Sequence, residues 1–412
     1  MKPAVIRALR WIERFTKTDM VFLTKNAIWP VIGQVVASGT ALVLAIAFSR
    51  FISKETYGTY KFLISYPSLF GFLLLPGMAT ALQRSIARGF DGDFARAVRS
   101  KLRWCVLYIF VGFVIAGYYL IQGNTVFAVG IALVFIFSGF SDLYGLYGAI
   151  FSGRALIKDG TMRYILGQSF YFFSVLVIMY TTHNLLLIIV AAFVPWFLVN
   201  YFFYREVTHN ELHNTNTDPD MLLYGKHLSF IAILSSFVAN LDNLLVFHYL
   251  GAVDLAIYSY AQAIPEQIKG PLGSIDVLLF SKFAKRKESD VKNNMLHKFL
   301  VLGICFTGIT VIYWFLAPYF YTILFPQYVD AIWYSRVFAL SLVSLSFIPA
   351  SIFLSAHGKI REQYYVSLAT SVAQLVTMFV FIVHWGLIGL IVSRVIVRFF
   401  GGGLNTYFAL RM

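Results

Sequence analysis

Apolar runs long enough to cross a lipid bilayer recur along the whole sequence, separated by short polar stretches. A helix needs about 20 residues to cross about 30 Å of hydrocarbon. Of the 412 residues, 59% are hydrophobic and only 13% are charged, which is too little polar surface to cover a soluble protein. Because the alternation typical of a membrane β-barrel is absent, the sequence predicts an all-α polytopic membrane protein.

Charges, prolines and glycine clusters divide the apolar runs into twelve predicted transmembrane spans. The first six cover residues 27–48, 62–82, 104–121, 126–151, 164–181 and 185–204. The second six cover residues 228–250, 255–280, 299–317, 332–354, 364–384 and 386–409.

The basic residues predict how the chain is oriented. Most of them cluster before the first span and in segments such as 84–103 and 282–298, whereas the opposite side holds only Arg50, Lys54 and Lys61. The positive-inside rule therefore places both termini in the cytoplasm. The net charge of +14 is explained by this asymmetry, so we expect no nucleic-acid partner.

The N-terminal segment, residues 1–25, begins "MKPAVIRALRWIERFTK". It has neither a continuous apolar core nor a small-residue cleavage site, which argues against a signal peptide. Its apolar residues recur at helical spacing, which favours a basic amphipathic helix on the cytoplasmic leaflet. An ordinary basic tail is the alternative.

Two stretches of the sequence resemble each other. "RFISKETYGTYKF" at 50–62 aligns with "HYLGAVDLAIYSY" at 248–260, and farther along Pro67 aligns with Pro265. This predicts two parallel six-helix lobes, residues 26–205 and 227–412, joined by a cytoplasmic linker at 206–226. Transporters built in this way have a central cavity between the halves. Chance similarity between Leu- and Phe-rich helices is the alternative.

The sequence contains no nucleotide-binding loop, zinc-ligand spacing or nucleophile elbow, so we expect no enzyme and no cofactor. Cys105 and Cys305 both lie in apolar spans, which indicates packing and no disulfide.

Ionisable residues at membrane depth are the candidates for function, because they are costly to place there. In the last span Arg394, Arg398, Gly401 and Asn405 form one helical stripe. Its two arginines could hold a pyrophosphate by forked hydrogen bonds, or they could pair with acidic residues of neighbouring helices.

Four acidic residues are candidates for proton or sodium coupling: Asp142, Asp242, Glu266 and Asp276. Asp142 and Asp242 have no basic partner within a helical turn, so each must find a cation across the bundle, reach water or be protonated. Glu266 is three residues from Lys269 on a proline-containing helix, where the two charges could simply neutralise each other. A structural ion pair is the alternative in each case.

The stretch "FSRFISKETYGTYKFLISYPSLFGFLLLPGMATALQRSIARG" resembles the first two helices of Wzx-type polysaccharide flippases of the multidrug/oligosaccharidyl-lipid/polysaccharide (MOP) exporter superfamily. "LDNLLVFHYLGAVDLAIYSYAQAI" is similar to the family's junction of helices 7 and 8, and "LFPQYVDAIWYSRVFALS" to its junction of helices 9 and 10. Ala256 replaces the usual glycine of the duplicated turn. The two further helices typical of lipid II flippases are missing.

The resemblance implies a MATE-like fold with a basic cavity, in which a polyprenyl-pyrophosphate-linked oligosaccharide crosses the bacterial inner membrane by alternating access. It assigns Arg84 to the basic residue that closes helix 2, and Asp242 to the acid of helix 7. The general expectation of a basic cavity adds Arg50, Lys269, Arg336, Arg394 and Arg398. A proton or sodium gradient would supply the energy.

The substrate implied by this resemblance is of the undecaprenyl-pyrophosphate type, and membrane lipids and polysaccharide assembly proteins are further expected partners. Three alternatives stay open at this point. One is an organic-cation antiporter of the same superfamily, whose cavity should be acidic. Another is a membrane-embedded polysaccharide polymerase or ligase, which should carry a large external loop. The third is a purely structural or scaffolding role, which the sequence neither supports nor excludes.

Overall fold

In the computed structural model, residues 20–231, 233–269, 295–357 and 359–411 are described. Over these residues the protein consists of helices and short turns, with no strand. The helices of the first half are α1 (Met20–Phe51), α2 (Lys54–Leu69), α3 (Gly77–Ala87), α4 (Asp93–Ile121), α5 (Thr125–Tyr144), α6 (Gly148–Gly153), α7 (Ile157–Thr181) and α8 (Leu185–Asn210). Those of the second half are α9 (Met221–Ile231), α10 (Ile233–Leu250), α11 (Ala252–Lys269), α12 (Met295–Leu324), α13 (Ala331–Ala339), α14 (Ile348–Ala356) and α15 (Ile360–Arg411).

Eight of the described helical segments are long and apolar enough to cross a membrane, or nine if α2 and α3, bent by 48°, count as one. The prediction of an all-α multi-pass membrane protein is confirmed. The count of twelve and the orientation stay predictions, and the predicted span 62–82 contains the break between α2 and α3.

Polar caps and glycines produce the sharp turns between helices. Ser53, Asn124 and Asn184 each precede a helix and accept a hydrogen bond from a backbone N–H of its first turn. Gly386 interrupts α15 with a φ of 59°, a conformation that glycine adopts without a steric penalty. This break falls between the predicted spans 364–384 and 386–409.

The first half packs around α5, α7 and α8, and α1 lies against α7. In the second half α15 packs against α10 and α14, and α11 packs against α13. Contact between the halves is made mainly by α2, which lies against α10 and α11, and by α3, which lies against α9.

The loop that joins α8 to α9 is held against the first half by a polar clasp of Asp91, Asp93, Arg154, Glu211 and Asp218. Arg154 bridges Asp91 and Glu211 with N···O distances of 3.0 and 2.9 Å. The buried Asp93 accepts a hydrogen bond of 2.9 Å from the backbone N–H of Asp218. The middle of the predicted linker is therefore bound to the loop before α4.

Helix α9 is also attached to the first half, through contacts with α3. Its Ser229 accepts a hydrogen bond of 3.0 Å from the backbone N–H of Gly77, and Gly225 packs against Met78 of α3. Because α10 packs against α15, the predicted span 228–250 contacts both halves of the protein.

Replacing Arg154 with methionine is expected to release the linker, because Asp91 would keep its buried position without its guanidinium partner. We expect limited proteolysis within residues 211–220 to become about tenfold faster, the change that 1.4 kcal/mol of local stability produces. Mass spectrometry of the fragments measures it. Arg205→Met, at an exposed position of α8, is the matched control. Equal cleavage rates in the two variants would contradict the clasp.

Candidate functional site

A cavity of about 470 Å³ lies between α1, α2 and α7 of the first half and α10 and α11 of the second. We call it the central cavity. Amide and hydroxyl side chains line much of it: Gln168, Asn243, Ser259, Gln262 and Gln267. Such groups form hydrogen bonds with water or with the hydroxyls of a ligand.

Lys61 is the one basic residue that lines the central cavity among the described residues. Its Nζ atom lies 5.5 Å from the centre of the Tyr57 ring, and no described carboxylate lies within ion-pair distance of it. An ammonium group without an acidic partner favours an anionic ligand. In the sequence, Lys61 contributes only to the charge asymmetry that predicts the orientation. Its i+4 spacing from Tyr57 on α2 was the signal that could have placed it on the cavity face.

Behind the cavity, Asp242, Tyr258 and Arg394 form a buried group. The guanidinium of Arg394 donates to Asp242 Oδ2 from both Nε, at 3.0 Å, and Nη2. The hydroxyl of Tyr258 donates to the same oxygen. The side chain of Asp242 is only 3% exposed, so its charge depends on this pairing.

A second group borders the cavity on α11. Glu266 lines the cavity and accepts a hydrogen bond from Arg398, which also donates to Ser341 at 2.9 Å. Lys269 Nζ lies 3.7 Å from the same carboxylate. Over the described residues of the cavity and of these two groups, basic side chains therefore outnumber acidic ones.

The structure brings together five of the predicted site residues: Asp242, Glu266, Lys269, Arg394 and Arg398. The two arginines of the predicted stripe pair with acidic residues of neighbouring helices, which was one of the two interpretations of that pattern. Asp142 also finds a cation across the bundle, with Lys101 Nζ 2.6 Å from its Oδ2.

Three other predicted residues lie away from the central cavity. Arg50 donates to the carbonyl oxygen of Ile323 at 3.1 Å, and Arg84 lies over the ring of Tyr224. Arg336 donates to the carbonyl oxygen of Trp314 at 2.9 Å. Each is held by a backbone oxygen or an aromatic ring. Asp276 lies outside the described residues.

The predicted extracellular end of the interface between the halves is sealed by aromatic packing. Phe62 stacks on Phe247 across this interface with ring centres 3.8 Å apart, and the ring of Tyr57 lies 5.0 Å from that of Tyr260. Gly58 of α2 lies so close to α11 that a Cβ atom there would be 1.8 Å from the carbonyl oxygen of Ala252. We call Tyr57, Gly58, Phe62, Phe247 and Tyr260 the seal.

Replacing Gly58 with valine is expected to open the seal, because no side chain fits between α2 and α11. A cysteine at Ser259, in the central cavity, would then react about tenfold faster with an impermeant maleimide added from outside. The experiment is run on cells, with Cys105 and Cys305 replaced by serine. Gly39→Val, where the space is open, is the control. An unchanged labelling rate would contradict a seal at Gly58.

Solved structures share this fold. The inward-facing form of a multidrug resistance MATE family transporter of the MOP superfamily matches with a TM-score of 0.65 and 14% identity, covering 93% of each chain. The outward-facing form of such a transporter matches with a TM-score of 0.60 and 15% identity, covering 93% of this chain and 94% of the other. A MOP superfamily transporter from Pyrococcus furiosus Vc1 (DSM3638), described as having a binding pocket of reversed polarity, matches with a TM-score of 0.67 and 13% identity over 94% of each chain.

The architecture is therefore that of the MATE-type transporters in the MOP superfamily. Residues 23–276, more than half of the chain, match the model of the polysaccharide biosynthesis protein family. The chain belongs to this family. Both findings confirm the resemblance seen in the sequence. No curated protein sequence matches the chain significantly.

Proposed function

We propose that the protein is a flippase that moves a polyprenyl-pyrophosphate-linked oligosaccharide across the bacterial inner membrane, for cell-surface polysaccharide biosynthesis. The observation that carries the proposal is the central cavity, with Lys61 unpaired by acid and amide side chains around it. Membership of the polysaccharide biosynthesis protein family supports the substrate class.

The sugar is the part of this substrate that cannot enter the hydrocarbon of the bilayer. Each hydroxyl that enters hydrocarbon without a hydrogen-bond partner costs several kcal/mol, so a glycan cannot cross the bilayer unaided. A wet cavity between two halves lets the glycan and the pyrophosphate pass through polar surroundings. The polyprenyl tail meanwhile stays in the lipid.

In this proposal Lys61 holds the pyrophosphate, and the paired groups on α10, α11 and α15 couple its movement to an ion gradient. Protonation of Asp242 or Glu266, or sodium binding there, would release Arg394 or Arg398 toward the anionic substrate. A conformational change follows only if the ion and the substrate bind the two states of the transporter unequally. The exchange of partners at these arginines supplies that difference.

The charge balance argues against an organic-cation antiporter, because basic groups outnumber acidic ones around the described cavity. A polymerase or ligase finds no support either. The described turns at the predicted extracellular end are short, and none forms a domain that could hold a catalytic site. Fold and family both point to transport.

The test is translocation in proteoliposomes that contain the purified protein and a fluorescent polyprenyl-pyrophosphate oligosaccharide. Quenching by an impermeant reductant reports the label that remains in the outer leaflet. We expect transfer that is faster when a proton or sodium gradient is imposed. Absence of transfer, together with uptake of organic cations by the same vesicles, would overturn the proposal.

A further inference from the structure

A second cavity, of about 560 Å³, lies inside the first half between α2, α4, α5, α7 and α8. We call it the side cavity. Tyr60, Ile64 and Tyr171 line both cavities, so the two adjoin. A ligand anchored at Lys61 would have to pass these three side chains to reach the side cavity.

The ion pair of Lys101 and Asp142 in the side cavity has its carboxylate exposed and its ammonium buried. Lys101 Nζ lies 2.6 Å from Asp142 Oδ2 and 3.3 Å from the Asp142 carbonyl oxygen. The Lys101 side chain is 3% exposed, whereas that of Asp142 is 42% exposed. The ammonium is thus buried behind the carboxylate, and the pair presents negative charge to the cavity although its net charge is zero.

The remaining polar groups present acceptors as well. The Asn200 amide donates from Nδ2 to the carbonyl oxygen and the hydroxyl of Ser141, at 3.0 and 2.9 Å. Its Oδ1 accepts no hydrogen bond from the described residues, and neither does Asp142 Oδ1. The Lys101 ammonium and the Asn200 amide N–H are thus used within the cavity wall, while these two acceptors stay open. The ligand that fits such a surface is rich in hydroxyl or N–H donors.

An aromatic wall completes the cavity. Trp196 lines it together with Tyr60, Tyr171 and Phe193. The indole of Trp196 packs on the backbone of Gly167, where a Cβ atom would lie 2.8 Å from its ring. A ring fixed in this way offers a rigid apolar face beside the open acceptors. Apolar faces edged by hydroxyls are the shape of a pyranose sugar, and precisely placed polar groups are what give such a pocket its specificity.

We propose that the side cavity is a saccharide subsite, which binds the sugar next to the pyrophosphate and selects neutral or amino sugars over uronic acids. The inference rests on the proposed function, because Lys61 supplies the anchor for the pyrophosphate. Selection follows from charge. Hydroxyl and ammonium groups donate to Asp142, whereas a uronic acid would place a second carboxylate against it, and like charges in contact reject the wrong ligand.

The experiment measures binding to the purified protein in nanodiscs by isothermal titration calorimetry. Three probes carry the same anchor: farnesyl pyrophosphate methyl ester, farnesyl-pyrophosphoryl glucose and farnesyl-pyrophosphoryl glucuronic acid. The methyl ester has the pyrophosphate charge of the other two but no sugar. We expect the glucose probe to bind about tenfold more tightly than the methyl ester. The glucuronic acid probe should bind at least about tenfold more weakly than the glucose probe.

Variants assign the selectivity to the side cavity. Asp142→Asn should bring the affinities of the glucose and glucuronic acid probes closer together. Because that change leaves the buried Lys101 without its carboxylate, the double variant Lys101→Met/Asp142→Asn provides the same test without an unpaired charge. Trp196→Phe should weaken only the sugar-bearing probes. Trp333→Phe, an exposed tryptophan of α13, is its matched control.

The possible outcomes distinguish a failure of this inference from a failure of the proposed function. If the methyl ester binds and glucose adds no affinity, the subsite is wrong while the anchor at Lys61 stands. Equal binding of glucose and glucuronic acid probes would overturn the selectivity. If none of the three probes binds, the anionic site fails, and the proposed function fails with it.

Discussion

Lys61→Met is expected to lower the transfer of a polyprenyl-pyrophosphate oligosaccharide about 10- to 100-fold. A hydrogen bond to a charged group contributes about 1.5–3 kcal/mol, and each 1.4 kcal/mol changes a binding constant tenfold. Methionine matches the lysine side chain as far as Cε and lacks the ammonium group that carries its charge and its donors. The initial rate of transfer in proteoliposomes, at substrate concentrations below saturation, measures the effect.

Two further variants test whether the effect depends on the charge of Lys61 and on its position. Lys61→Arg keeps the charge and should retain much of the transfer, although the guanidinium has a different shape. Lys158→Met makes the same chemical change at an exposed position at the start of α7 and should leave the rate unchanged. Transfer at the wild-type rate by the Lys61→Met protein would show that Lys61 does not bind the pyrophosphate.

Arg394→Met is expected to destabilise the protein by about 3–5 kcal/mol, the usual effect of removing one partner from a buried ion pair. Asp242 is 3% exposed and would be left with the hydroxyl of Tyr258 as its described donor. The carboxylate would then have to take up a proton or admit water. Thermal unfolding in detergent, followed by the loss of helical circular dichroism, measures the change.

The double variant Asp242→Asn/Arg394→Met removes both charges, so it shows whether the stability lost in Arg394→Met is due to the unpaired charge of Asp242. Asparagine keeps an acceptor for Tyr258, and no uncompensated charge remains. We expect it to recover most of the lost stability, and the double-mutant cycle gives the coupling energy between the two residues. Transfer that depends on the ion gradient should nevertheless be lost. Additive losses in the two single variants would show that Asp242 and Arg394 do not act as a pair.

The fold class and the family could be predicted from the sequence, because both depend on patterns that run along the chain. Apolar runs of spanning length fix the helices whatever they pack against. The polar stretch at 50–62 is a turn only at its start, because Ser53 caps α2 and the helix begins at Lys54, before the predicted span 62–82. Local chemistry of this kind needs no knowledge of distant residues.

The site was harder to predict, because pairing across the bundle joins residues far apart in the sequence. Arg394 and Asp242 were both recognised as unusual at membrane depth, yet nothing in their neighbourhoods said that each would neutralise the other. Arg50 and Arg336 looked equivalent to them and bind backbone oxygens of other helices. Lys61 was assigned to a turn, whereas it lies in the second turn of α2, at the cavity.

The distance of 152 residues between Asp242 and Arg394 has a consequence for biosynthesis. At about 5–20 residues per second the ribosome needs about 8–30 s to make the arginine after the aspartate. For that interval the helix that carries Asp242 must enter the bilayer without Arg394, where an unpaired aspartate costs about 2.5–3.5 kcal/mol at the centre of a span. Insertion of this helix is thus expected to stay incomplete until the last helix arrives, so chains truncated before Arg394 should be substrates for membrane quality control.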